Sequence, residues 1–172
     1  MQLIQRDEAR ANELGFRLRR SSRKDMRRRR GVFGLFLAAA ASMGVVALYQ
    51  LGILKHIPEP STPRLDSDTV TGSAKAYSLV ETPDSVLAIG SYASTMALVA
   101  MGSPDRAEKQ PLLPLALIAK VGLDAAVAAR YTFDEWRRHR ALCLWCVVAS
   151  TAVFASVPLV IPEARRALRN LL

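Results

Sequence analysis

The only two cysteines of the chain stand three residues apart, in Cys143-Leu144-Trp145-Cys146. On a helix, residues at this spacing leave nearly the same face, and their Cα atoms fall within the span of one disulfide. The pair reads in three ways. Zinc would need two more ligands, and His56 and His139 are the only histidines, so no metal site is expected. Buried apolar spacers are a second reading, since a free cysteine packs as a small hydrophobe. Thiol–disulfide exchange is the third, and position favours it. The pair opens an uncharged run just after Arg137, Arg138, His139 and Arg140. A helix N-terminus and a cationic collar both favour thiolate, which is the nucleophile in such exchange.

A second constellation is Lys120 and Asp124, placed i, i+4 on one face of an apolar stretch. Near the middle of a membrane span an unpaired charge costs roughly 3 kcal/mol. Two readings stay open: a self-neutralising ion pair that faces the bundle, or a proton supply to a reducible ligand.

The elements that must position these groups are membrane helices. The 172 residues carry 24 Lys+Arg against 15 Asp+Glu, a formal charge of +9, yet 51% of them are hydrophobic. With a pI of about 10.3 and a mean hydropathy of +0.14, charge and apolarity have to be segregated along the chain. The apolar content excludes intrinsic disorder, and two cysteines exclude a disulfide framework. Eleven basic residues lie in 1–30, ending in the run Arg27 to Arg30, and the uncharged stretch 31–54 follows at once. As a helix rising about 1.5 Å per residue it crosses a bilayer core of about 30 Å. It is longer than the roughly 7–15-residue core of a cleaved signal peptide, so cleavage is not expected. Further spans are expected over 84–102, 111–131 and 141–162, with small residues such as Gly90, Ala97, Ala126 and Ala149 allowing close helix approach. The expected fold is all-α, an integral membrane four-helix bundle.

With the N-terminus inside, the inner segments hold sixteen Lys and Arg and the outer ones seven, so both termini are expected in the cytoplasm, as a basic arm over 1–30 and a tail over 163–172. The arm is read as a topology anchor attracted to anionic lipid, with the bilayer and not nucleic acid as its partner, because no base-reading motif accompanies it. The outer loop 55–83 begins extended at Pro58, Pro60 and Pro63. A short interfacial helix is expected over 73–80 with Tyr77 in the headgroup zone, and Thr82 is expected to cap the second span, with Pro83 in its first turn.

Four spans, a long first outer loop and Cys-x-x-Cys at the outer start of the fourth helix resemble the vitamin K epoxide reductase family, whose bacterial members pass electrons from thiols to a quinone held in the bundle. The similarity extends to the loop segment Ser67-Asp-Thr-Val70-Thr-Gly-Ser73 and to the Pro-led helix PDSVLAIGSY that ends at Tyr92, and it covers roughly 31–162. It implies a membrane of bacterial inner type and a quinone of ubiquinone or menaquinone type as electron acceptor. Cys146 would face the quinone, Cys143 would exchange with a partner, and Ser73 and Tyr92 would join Asp124 at the quinone. In the family the loop carries a second cysteine pair, whereas here Ser67 stands at the later position and 55–66 holds no cysteine. The resemblance therefore implies a separate thioredoxin-like or periplasmic dithiol protein as electron donor. Its alternative is a catalytically degenerate member that binds quinone, lipid or a partner without turnover.

Overall fold

The structure, a computed structural model, describes residues 2–21, 24–60, 62, 64–77 and 81–172. Among these residues seven α-helices follow one another: α1 (Gln2–Arg20), α2 (Lys24–Gln50), α3 (Ser67–Thr71), α4 (Asp84–Ala100), α5 (Arg106–Lys109), α6 (Leu112–His139) and α7 (Leu144–Arg169), with a 3-10 turn at Ala74–Tyr77. Among the described residues the only β-type pairing is one isolated bridge, between Leu65 and Leu142. Helices α2, α6 and α7 are long and apolar enough to cross a membrane, and α4 is a shorter apolar helix of 17 residues. The chain is an all-α integral membrane four-helix bundle, in which α2 packs against α4 and α7, and α6 packs against α7.

The core follows from the apolar faces of those four helices. Phe36 of α2 meets Tyr92 of α4 edge to face at 5.6 Å between centroids, and Val32, Val46, Leu117, Val121 and Val153 are wholly buried around them. Ala39, Ala149 and Ser156 are also buried at the contact faces, where small side chains let helices come close without a hydrophobic driving force between them.

Away from the cysteines, two arginines terminate α4. Arg29 donates to the carbonyls of Val99 (2.8 and 3.0 Å) and Met101 (2.9 Å), and Arg106 donates to those of Leu98 and Met101 (both 2.8 Å). These are the carbonyls that a helix end leaves without partners. Arg106 also pairs with Glu163 of α7 at 2.8 and 3.0 Å, both side chains being buried. Gly102 turns the chain out of α4 at φ +82, where an added Cβ would stand 3.0 Å from Leu113.

Helix boundaries differ from the sequence expectation in five places. The basic run Lys24 to Arg30 forms the first turns of α2 instead of preceding it. Helix α6 continues eight residues beyond 131, so the stretch expected as an outer loop is helix up to Arg140, which closes it in the left-handed conformation at φ +53. Helix α7 starts at Leu144 and runs through Pro162 to Arg169. Proline removes only its own backbone bond, and contacts beyond it hold the extension: Glu163 to Arg106, Arg166 to Asp25, and Asn170 Nδ2 to the Ala107 carbonyl at 3.1 Å. At the start of α4, Pro83 is itself the N-cap, because its ψ of 129 is not helical, and Thr82 stands before it. The helix expected over 73–80 is the single 3-10 turn, with the Tyr77 hydroxyl donating to the Gln50 carbonyl at 3.0 Å; residues 78–80 lie outside the described residues.

Candidate functional site

The cysteines are positioned by the first turn of α7. Cys143 is its N-cap, with ψ at 122, and its Sγ accepts the Cys146 N–H at 3.2 Å. A side chain in this place satisfies one of the free N–H groups of the helix start, and a thiolate does so best. Cys143 thus precedes the spanning helix, and its thiol pKa is lowered. The chief cause is hydrogen bonding with the Cys146 thiol, assisted by the Cys146 N–H and opposed by burial and by the Glu135 carboxylate. The arginines expected to form a collar are not among the groups that set the Cys143 thiol: Arg137, Arg138 and Arg140 are exposed, Arg137 lies over the Phe133 ring at 5.5 Å, and Arg138 lines a small pocket with Ser73 and Glu135. The helix start favours thiolate in their place.

The loop closes over Cys143, which has no exposed surface. Leu142 N–H donates to the Arg64 carbonyl (2.9 Å) and Asp66 N–H to the Leu142 carbonyl (3.2 Å), while Trp145 Nε1 donates to the Pro58 carbonyl (3.0 Å). Ser67, wholly buried, accepts the Leu144 N–H on its hydroxyl at 3.1 Å. Asp66 caps α3 by accepting the Thr69 N–H at 3.0 Å, which holds its carboxyl below the usual carboxylate range. Asp68 takes the Ile57 N–H and pairs with His56, both at 2.9 Å. Among the described residues no cluster of three or more His, Cys, Asp or Glu side chains could hold a metal.

Cys146 faces the other way. It lines a cavity of about 300 Å³ walled by Met43, Val46, Ala88, Tyr92, Val127 and Ala149, with Ser91, Asp124, Tyr131 and Glu135 as polar members. Its floor is a closed polar cluster. Asp124 accepts from Lys120 Nζ (2.6 Å), Ser91 (2.7 Å) and Thr95 (2.6 Å), and Lys120 also donates to the hydroxyls of Ser91 (2.9 Å) and Thr95 (3.1 Å). Its rim is a clasp in which Gln50 Nε2 donates to Asp84 (2.8 Å) and to the Thr71 carbonyl (3.1 Å), while the Ser85 hydroxyl donates to Gln50 Oε1.

Of the residues singled out in the sequence, the cavity collects Cys146, Tyr92 and Asp124, and Cys143 stands beside it under the loop. Ser73 does not join them: it lines a small neighbouring pocket with Val70, Asp84, Tyr131, Glu135 and His139. The reason is the turn after α3, where Gly72 is pressed so closely on the Asp68 carbonyl (2.8 Å to an added Cβ) and Tyr49 that Val70 and Thr71 reach the cavity instead. Glu135, Tyr131 and Ser91 were not picked out from the sequence. Asp124, Ala128, Tyr131 and Glu135 repeat at helical spacing, and that periodicity is the signal that would have carried the site past 131.

The floor yields a prediction. Replacing Asp124 alone (Asp124→Leu) strands the Lys120 charge and is expected to destabilise the protein by about 3 kcal/mol. Adding Lys120→Met should recover most of this, because an apolar pair of similar volume replaces an ion pair at little cost. Thermal unfolding of the three proteins in detergent checks the stability. Turnover in the folded double variant separates the two readings of the pair: retention means an ion pair only, and loss means a role in proton supply.

The family model described as "Vitamin K epoxide reductase family" matches residues 31–161. No curated protein and no solved structure matches the chain. The matched segment takes in α4, α6, most of α2 and α7, the loop, both cysteines and every wall of the cavity. On this match, and with membrane-length helices around the thiol pair, the chain belongs to the vitamin K epoxide reductase family of membrane oxidoreductases.

Proposed function

We propose that the protein is a thiol–disulfide oxidoreductase that passes electrons from an external dithiol, through Cys143 and Cys146, to a membrane quinone of ubiquinone or menaquinone type. The observation that carries this reading is the division of labour within one helical turn: Cys146 opens to the cavity, and Cys143 is turned to the loop. The cavity fits a quinone ring, being apolar on its walls and offering hydroxyl and carboxyl groups at its floor and rim. When bound, the quinone supplies two-electron, two-proton acceptance.

The chain's own residues do the rest. A partner thiolate attacks the Cys143 sulfur of the Cys143–Cys146 disulfide, and Cys146 leaves as thiolate toward the cavity. The second partner thiol then attacks the mixed disulfide and leaves the partner oxidised and both cysteines reduced. Re-forming the Cys143–Cys146 disulfide releases two electrons and two protons toward the quinone. Asp124, hydrogen-bonded on three sides, and Glu135 at the rim are the carboxylates that hold or move protons there. In this reading the membrane is the inner membrane of a bacterium, both termini are cytoplasmic, and the donor is a thioredoxin-like or periplasmic dithiol protein. The excess of Lys and Arg in the segments on the Arg29 side supports that orientation.

The test is alkylation gel shifts on isolated membranes, in which the redox state of the pair must follow that of the quinone pool. A second reading, a member that binds without turnover, is favoured by one observation: Ser67, and no thiol, lies against the Cys143–Leu144 junction.

A further inference from the structure

Glu59 does something that neither the fold nor the thiol chemistry requires. Its carboxylate accepts both the N–H of Ser67 (2.7 Å) and the Ser67 hydroxyl (2.5 Å). The same hydroxyl oxygen accepts the Leu144 N–H at 3.1 Å, which ties the loop to the residue after Cys143. Trp145 on Pro58 and the Leu65–Leu142 bridge close the same seam. Ser67 and Cys143 are both wholly buried beneath it, with the Ser67 hydroxyl on the N–H of the residue that follows Cys143; a proton given by this hydroxyl to the sulfur would lower the thiol pKa. A serine hydroxyl has a single proton to donate. Ser67 gives that proton to Glu59, so it is withheld from the sulfur.

We propose that Glu59 is a positioning residue for Cys143. By holding the Ser67 proton and closing residues 56–60 and 64–68 over the sulfur, it keeps Cys143 a shielded thiol until a dithiol partner displaces the loop. The inference rests on thiol exchange at Cys143, but its test involves neither quinone nor partner, so the two fail separately. The other groups around this sulfur are Cys146 on α7, Glu135 on α6 and, beside them, Asp66 on the loop, which faces His139. They are the same in every variant below.

Glu59→Gln weakens the acceptor that competes for the Ser67 proton. That change favours thiolate. The pH midpoint of Cys143 alkylation, followed at that residue by mass spectrometry on the reduced protein, is expected to fall by about one unit, and its high-pH plateau rate to rise. In the Glu59→Gln background, Ser67→Ala should reverse part of the midpoint shift and leave the plateau high. Ser67→Cys should form a disulfide with Cys143 on mild oxidation, confirming the juxtaposition in the folded protein. An unmoved or raised midpoint in Glu59→Gln overturns the proposal even if the plateau rises, because Glu59 would then only close the loop. Failure of Ser67→Cys to cross-link to Cys143 overturns it as well.

Discussion

In Cys146→Ser protein, thiol-dependent quinone reduction is expected to fall by about three orders of magnitude or more, while Cys143 becomes able to hold its donor covalently. The two effects have one cause. Serine cannot form or resolve a disulfide, so no electrons reach the cavity. The Cys146 N–H that stabilises the Cys143 sulfur at 3.2 Å is a backbone group and survives the substitution. Cys143 therefore still exchanges with an oxidised donor, and the mixed disulfide outlives that of the native protein because Cys146 can no longer attack it, which leaves only the donor's second thiol to reverse it. Cys143→Ser should lose turnover to the same degree and capture nothing, since Cys146 opens to the cavity and not to the loop. Quinol formation and non-reducing gels measure the two halves. A protein that works by binding alone would keep its cellular effect in both variants.

The largest expected effect on stability lies at the other end of the bundle. Arg106 has no exposed surface, and Glu163, its partner at 2.8 Å, is 4% exposed. Glu163→Gln leaves the guanidinium charge buried with carbonyl partners only, and the expected loss is about 3–5 kcal/mol. That is a large share of the stability of an ordinary domain. Arg106→Met combined with Glu163→Leu should recover part of the loss, but not all, because the Leu98 and Met101 carbonyls at the end of α4 lose a donor they now have at 2.8 Å. Asp68→Ala is the contrasting control. It breaks a pair whose His56 partner is 86% exposed, so it should cost far less through the ion pair, though it also removes an acceptor of the Ile57 N–H. Thermal unfolding in detergent, followed by circular dichroism, orders these variants.

Much of this was legible in the sequence because membrane solvation is a strong constraint. Uncharged runs of helical length announce the bundle, and a lone Cys-x-x-Cys at the end of one such run announces its chemistry. Charged residues near helix ends were harder to read. Arg29 and Arg106 count toward topology in the same way as their exposed neighbours, and only the fold tells that they cap α4. The α6 extension was hidden for a related reason. Tyr131 to Arg140 mixes charged and aromatic residues as a surface loop would, yet its inner face continues the line of Asp124 and Ala128 into the cavity. The misplacement of Ser73 has a local origin in the tight packing at Gly72, which spacing along the chain does not register. The arginine collar failed because nearness in sequence is not nearness in space: α6 ends with Arg137 over the Phe133 ring and Arg138 on the small pocket that Ser73 lines, all three arginines being exposed.

The central claim is that Cys143 and Cys146 exchange electrons with a quinone. It is tested most directly on isolated membranes, by trapping free thiols with a mass-adding alkylating reagent after the quinone pool has been oxidised, reduced or removed. With a dithiol supplied as electron donor, an oxidised pool should keep the pair a disulfide that resists the reagent, and with the pool reduced or withdrawn both thiols should accumulate and be labelled. A labelling pattern indifferent to the state of the quinone contradicts the account.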